Sequence, residues 1–155
     1  MLLRNFFLLL FLVFVTSPAL YAADKPDDRE ALAGLKNAKV IFDVRVPDSE
    51  KLIFNLELFA ETFAGMIAQG VTPEMIVTFR GPGVKLFTAS TIDEEAHDLL
   101  RDLKNKGVRL EVCAVALRVF KVDPAGLVPE VKIVANVLNS QIGYQNKGYA
   151  LIVIN

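Results

Sequence analysis

Short apolar runs alternate with longer helical patterns along most of this chain, and the connections between them are short. Runs rich in β-branched residues predict five strands, over residues 39–46, 74–79, 108–112, 131–135 and 149–154. The segments between them predict four helices, over residues 49–69, 92–103, 114–121 and 137–147. Strands that alternate with helices form a mostly parallel sheet covered on both faces. We therefore predict a single-domain α/β fold, a three-layer sandwich around a mostly parallel five-stranded sheet.

Two of the predicted helices carry capping residues at their first turn. Asp48 or Ser49 begins the first of them, where a side-chain oxygen accepts from an otherwise unpaired backbone amide. Thr91 and Glu94 match the capping box, in which Thr91 accepts from the third helical amide and Glu94 reaches back. His97, the only histidine, lies away from the apolar face of that second helix, so we predict a surface residue without a functional role.

The first residues of the chain differ in composition from the rest. Arg4 precedes an unbroken apolar run over residues 6–15, and small residues follow around Ala22 and Ala23. This pattern predicts a signal peptide over residues 1–22, cleaved after Ala22 or Ala23, with an uncleaved anchor as the alternative. The polar residues 23–37 predict a linker or N-terminal arm, and residues 38–155 the domain. We expect a periplasmic or secreted protein without stable membrane insertion after cleavage.

Charge and the scarcity of metal-binding side chains exclude two classes of function. The chain has 17 Lys and Arg residues against 18 Asp and Glu residues, and its formal net charge is −1. No basic stripe is present to neutralise phosphates, so we predict no nucleic-acid partner. One histidine and one cysteine do not provide the usual ligands of a metal centre, so we predict no metal and no cofactor.

The only cysteine, Cys113, lies where a predicted strand gives way to a predicted helix. Backbone amides at a helix N-terminus stabilise a thiolate, and functional sites of parallel α/β folds lie at the carboxyl ends of strands. Asp43, Arg45 and the glycine-rich turn at residues 80–83 are expected at the same edge, although the turn lacks the patterns of phosphate-binding loops. The alternative is a buried structural cysteine, which behaves as a small apolar side chain.

The chain resembles the DsrE/DsrF-like family in the segments LEVCAVALR, VDPAGLVPEVKIV and QNKGYALI, and in FRGPGVKLF after the second predicted strand. The likeness spans roughly Lys39 to Asn155. It implies a fold of the kind predicted above, assembly as a homo-oligomer, either trimer or hexamer, and sulfur relay with a persulfide on Cys113. Arg118 matches the basic residue that follows the cysteine in related motifs. Relay members are cytoplasmic, so the predicted export argues against a role in tRNA thiolation.

Three hypotheses follow for function. The leading one is an exported sulfur carrier or sulfur-binding protein, possessing Cys113 as its catalytic residue and Arg118, Arg80 and Lys85 as candidate substrate-binding residues. Its partner would be a protein sulfur donor or acceptor or a small sulfur compound, and independent turnover is left open. The second is a non-catalytic oligomeric binding module, with Cys113 buried and the helix over residues 49–69 in subunit contacts. The third is redox sensing through a sulfenic acid or mixed disulfide.

Overall fold

A five-stranded sheet forms the centre of the molecule, in a computed structural model that describes residues 26–155. The strands are β1 (Asn37–Val44), β2 (Thr72–Phe79), β3 (Arg109–Cys113), β4 (Lys132–Val134) and β5 (Ala150–Ile154). They are all parallel and lie in the order β4-β3-β2-β1-β5. This confirms the predicted α/β fold with its mostly parallel five-stranded sheet. The predicted signal peptide lies outside the described residues.

Five α-helices accompany this sheet in the part of the chain that the structure describes. They are α1 (Arg29–Leu32), α2 (Ser49–Ala68), α3 (Glu94–Asn105), α4 (Ala114–Val119) and α5 (Val137–Gln145). From β1 to β4, each connection leads to the next strand on the same side. The connection from β4 to β5 returns across the whole sheet to the other side of β1. Right-handed crossovers therefore place α2, α3 and α4 on one face of the sheet and α5 on the other.

The two faces of the sheet differ in polarity. The face under α2 and α3 is apolar, and the rings of Phe42 and Phe59 stack there with centroids 4.3 Å apart. The face under α5 is mixed: Ile41 and Ile76 are buried there, but Gln141 Nε2 donates to Thr78 Oγ1 at 2.8 Å, and Ser140 Oγ donates to the carboxylate of Glu111. The apolar face is formed by the buried residues Val40, Phe42, Val44, Met75, Val77, Phe79, Leu110 and Val112. Most of the hydrophobic stabilisation thus comes from one side, and polar contacts fix α5 on the other.

The start of α3 corrects the predicted capping box. Asp93 is the N-cap, and its carboxylate accepts from the backbone amide of Glu95 at 2.9 Å. Thr91 lies outside the helix in a turn with Thr88, and its hydroxyl donates to the carbonyl oxygen of Lys85 at 2.7 Å. Aspartate caps a helix at least as well as threonine, so Asp93, which is nearer to the helical segment, is the N-cap instead of Thr91.

His97 also differs from the prediction of a plain surface residue. Its side chain is 29% exposed, and Nε2 lies 2.9 Å from the carboxylate of Glu130 in the loop before β4. Burial raises the pKa of Glu130, but the hydrogen bond with His97, a backbone hydrogen bond and the nearby charges of His97 and Lys104 together lower the pKa below its ordinary value. The histidine thus holds the loop against α3.

Residues 26–36 contact the amino-terminal edge of the sheet. They include the short helix α1, and the backbone amide of Asp28 donates to Gln69 Oε1, just after α2, at 2.7 Å. The carbonyl oxygen of Lys36 accepts from the amide of Thr72 at 2.9 Å as the chain enters β1. Within residues 26–155, none of the helices has both the length and the apolar character that crossing a bilayer requires.

Candidate functional site

The carboxyl ends of the three central strands bring an acid, a guanidinium group and the thiol to one edge. Phe79 pairs with Val112, so the residues that follow them, Arg80 and Cys113, leave β2 and β3 at the same level. Asp43 lies on the neighbouring strand β1, opposite Thr78. Because side chains alternate along a strand, all three project toward the face that carries α5. The predicted convergence at this edge is therefore present.

A cavity of about 200 Å³ opens at this edge, between the end of β3, α4 and the first turn of α5. Its walls are mostly apolar. The residues that line it are Arg80, Gly81, Cys113, Val115, Ala116, Val119, Phe120, Asn136, Val137 and Leu138. Cys113 and Arg80 thus line the same small space.

Cys113 is the N-cap residue of α4 and its side chain is 4% exposed. The sulfur makes no capping hydrogen bond to α4, and no hydrogen bond of residues 26–155 uses it. Cys113 therefore lies one position before the first turn of α4. Its low exposure matches that of a structural cysteine, and the residue also lines the cavity.

Asp43 holds Arg45 and Arg80 together beside the cavity. Its carboxylate is 1% exposed and accepts from Arg45 Nε at 3.0 Å and Nη2 at 2.7 Å, and from Arg80 Nε at 2.9 Å and Nη2 at 3.0 Å. Burial raises the pKa of Asp43, but the hydrogen bonds from Arg80, Arg45 and Gln141 and the charge of Arg80 together lower the pKa below its ordinary value. Two guanidinium groups against one carboxylate leave this cluster with a net positive charge.

The glycine-rich turn after β2 fixes the backbone that carries Arg80. Gly81 has a φ of +72°, in the left-handed region that favours glycine. A Cβ on Gly83 would lie 2.2 Å from the carbonyl oxygen of Val46, so this position accepts no side chain without a backbone shift. A 3₁₀ helix over Gly81–Phe87 follows. The glycines thus serve close backbone approach, in agreement with the interpretation that this segment is not a phosphate loop.

Of the predicted substrate-binding residues, the structure brings Arg80 alone to the cavity wall. Arg118 is exposed on α4 and is not among the lining residues, because Ala116 and Leu117 occupy the inner side of that helix. Lys85 Nζ lies 5.7 Å from the ring centroid of Phe120, so it contacts a lining residue without lining the cavity itself.

Sequence reasoning missed Asn136 altogether. This residue caps α5, and its Oδ1 accepts from the amide of Leu138 at 3.0 Å. An asparagine one residue before a predicted helix was the signal that could have found it. Asp43 and Arg45 were placed at the correct edge, but not their shared contact with Arg80.

Comparisons with known proteins agree with this architecture. The sequence model of the DsrE/DsrF-like family matches residues 38–154. A solved structure, MTH1491 from Methanobacterium thermoautotrophicum, described as a protein of unknown function, superposes with a TM-score of 0.64 at 21% identity, over 75% of this chain and 98% of that chain. At that identity the likeness shows the fold alone. No curated protein matches. Because the family match covers most of its length, the chain belongs to the DsrE/DsrF-like family.

Proposed function

We propose that this protein carries sulfane sulfur as a persulfide on Cys113. The observation that carries the proposal is that Cys113 ends β3 at the carboxyl edge and lines a cavity that Arg80 also lines. Membership of a family of the sulfur-relay type supports it. We propose that Arg118 and Lys85, which are exposed, contact a partner protein rather than a small substrate.

The chemistry of such a carrier is a sulfur transfer without net oxidation. The Cys113 thiolate attacks the sulfane sulfur of a donor, a new S–S bond forms on Sγ, and the donor's S–S bond breaks with its electron pair leaving on the donor. An acceptor nucleophile then takes the outer sulfur and returns the thiolate. The net positive cluster of Asp43, Arg45 and Arg80 beside the cavity favours an anion there.

Intact-protein mass spectrometry after exposure to polysulfide or thiosulfate tests this proposal. We expect the wild-type protein to gain the mass of one or more sulfur atoms and to lose it on treatment with a reducing thiol. The variant Cys113→Ser is expected to gain none. If the folded protein takes up no sulfur and its thiol also resists alkylation, Cys113 is a structural residue and the carrier proposal is wrong.

Glutathione or sulfenic adducts that form without any sulfur uptake would instead support the redox-sensing alternative.

We also propose that the chain associates with a second copy of itself through β5. This strand is at the edge of the sheet, and Leu151, Ile152 and Val153 are all exposed although they alternate between the two faces. Strands of parallel sheets are normally buried on both faces, and an unpaired apolar edge readily pairs with another chain. Exposed Phe54 on α2 adds a further apolar contact surface.

Light scattering coupled to size-exclusion chromatography is the test of this association. We expect the wild-type protein to elute as an oligomer and Val153→Lys to shift it toward the monomer, because a charged side chain at a sheet edge opposes pairing. Leu35→Lys is the matched control, since Leu35 is equally apolar and exposed but lies on the arm. A wild-type monomer, or equal masses for both variants, would argue against β5 as the interface.

Export is proposed on the sequence pattern of residues 1–22. Sequencing the N-terminus of the secreted chain tests export, and we expect it to begin at Ala23 or Asp24. Recovery of the full-length chain in the cytoplasm would contradict export.

A further inference from the structure

The apolar walls of the cavity at the carboxyl edge continue onto the outer surface of the molecule. Val119 on α4 and Leu138 on α5 both line the cavity, yet they are 62% and 45% exposed. Exposed apolar side chains that gather around a concave space are typical of interaction surfaces. The cavity's volume of about 200 Å³ corresponds to roughly six water-sized groups at about 30 Å³ each. One leucine- or phenylalanine-sized side chain fits this space.

The charged side chains around this cavity are mainly cationic. Three segments contribute its lining residues, over residues 80–87, 113–123 and 136–138. Their charged residues are four cations and one acid, in a chain whose formal net charge is −1. The cations are Arg80, Lys85, Arg118 and Lys121, and the acid is Asp123. Each cation lines the cavity, contacts a lining residue or adjoins one in the chain. The apolar space thus has a positively charged surround.

Carboxylates of this chain do not neutralise that charge. Asp43 is shared between Arg80 and Arg45, and the Nη1 atom of each guanidinium group has no hydrogen-bond partner within residues 26–155. Over the same described residues, three of the four cations form no ion pair: Lys85, Arg118 and Lys121. Their donors are therefore available to the carboxylates of another molecule.

We infer that the cavity and its four cations dock an acidic segment of a partner protein, with one apolar side chain in the cavity and flanking carboxylates on the cations. An apolar anchor in a pocket with a polar rim is the usual arrangement of a protein interface. The inference rests on the proposed function, to which it adds the chemistry of the partner, although docking itself needs no sulfur. The chain's own residues 1–25 are a poorer occupant, since they carry Arg4 and Lys25 against one acid, Asp24.

Selection from a displayed library of random short peptides, with the folded wild-type protein as bait, tests this inference. We expect the enriched peptides to share one large apolar residue that is flanked by Asp or Glu. A synthetic copy of the most enriched peptide, labelled with fluorescein, then provides the probe for fluorescence anisotropy. Its affinity is expected to fall as the salt concentration rises, because salt screens exposed charges.

Charge reversal around the cavity provides the decisive variants. In the double variant Lys85→Glu with Arg118→Glu, we expect the labelled peptide to bind at least about tenfold more weakly, because two attractive contacts become repulsive. The matched control is Lys36→Glu with Lys147→Glu, which changes the net charge equally. Lys36 precedes β1 at the opposite edge, and Lys147 follows the far end of α5, so binding within about twofold of wild type is expected. Equal unfolding midpoints of the two double variants show that the comparison reports the surface.

The possible results separate this inference from its rivals and from the proposed function. No enrichment, enriched peptides without acids, or equal affinities for both double variants would overturn it. A lower oligomeric mass of the Lys85→Glu, Arg118→Glu variant in light scattering would assign the surface to a second copy instead. Tighter binding of oligothymidylate than of the peptide would assign it to nucleic acid. Sulfur uptake without peptide binding overturns the docking surface alone, whereas peptide binding without uptake on Cys113 overturns the carrier proposal alone.

Discussion

Replacement of Asp43 by alanine is expected to lower the free energy of unfolding by about 3 kcal/mol, because it leaves two guanidinium groups without their shared buried counter-charge. Arg45 and Arg80 are 39% and 26% exposed and can turn toward water, which places the loss at the lower end of the range for a broken buried pair. Urea unfolding with linear extrapolation measures the change. Asp98→Ala is the control: Asp98 is 64% exposed and pairs with Arg101, so its loss is expected to cost about 0–1 kcal/mol.

The same carboxylate is expected to make stability fall in acid. The folded pKa of Asp43 lies below its ordinary value of 3.8, so its contribution is complete above the unfolded pKa and is lost as the pH falls through the folded one. In Asp43→Asn, the free energy of unfolding should therefore depend less steeply on pH between the folded and the unfolded pKa of Asp43. Equal unfolding midpoints for Asp43→Ala and Asp98→Ala, or an unchanged acid slope in Asp43→Asn, would show that the cluster does not stabilise the fold.

The second large effect is expected at Gly83. In Gly83→Ala the new Cβ would meet the carbonyl oxygen of Val46 at 2.2 Å and its carbonyl carbon at 3.3 Å, and backbone atoms cannot turn aside as a flexible side chain does. The turn after β2 must shift, which is expected to cost about 1–3 kcal/mol or more. Because Arg80 begins that turn, we also expect a changed rate of Cys113 alkylation.

Gly65→Ala is the matched control for this glycine. A Cβ on Gly65 would meet no atom within 4 Å, and the residue lies inside α2. The same chemical change is therefore expected to raise the free energy of unfolding by roughly 0.5–1 kcal/mol, since alanine favours the helix. Thermal or urea unfolding of both variants compares them directly. If the free energy of unfolding changed in the same direction in Gly83→Ala and Gly65→Ala, the steric interpretation of Gly83 would be wrong.

The strand and helix order was predictable because it depends on local periodicity. The β-branched runs and the stripe of Leu52, Leu56 and Phe59 on α2 are readable without knowing any contact. Cys113 could be assigned to the carboxyl edge for the same reason, since it directly follows a predicted strand. The capping error at α3 is of a different kind: Thr91 and Asp93 lie two residues apart, and which of them is the N-cap depends on the turn before the helix.

The contacts of the site were not predictable, because they depend on register and strand order. Asp43 meets Arg80 only because β1 and β2 pair so that Asp43 lies opposite Thr78. Asn136 borders the cavity because β4 lies next to β3, which places the start of α5 beside Cys113. Arg118 was a reasonable expectation from sequence proximity to Cys113. The rotation of α4, with Ala116 and Leu117 inward, decides against it.

The direction of the strands determines where an attachment to either terminus would sit. The arm before Asn37 enters at the amino-terminal edge, and β1 is eight residues long, so about 26 Å of strand separates that edge from the cavity's edge. The last strand, β5, ends at the same edge as Cys113, with Ile154 paired to Val44. An affinity tag or surface tether on the amino-terminal side thus leaves the mouth of the cavity open to incoming proteins, whereas one fused after Asn155 would crowd it.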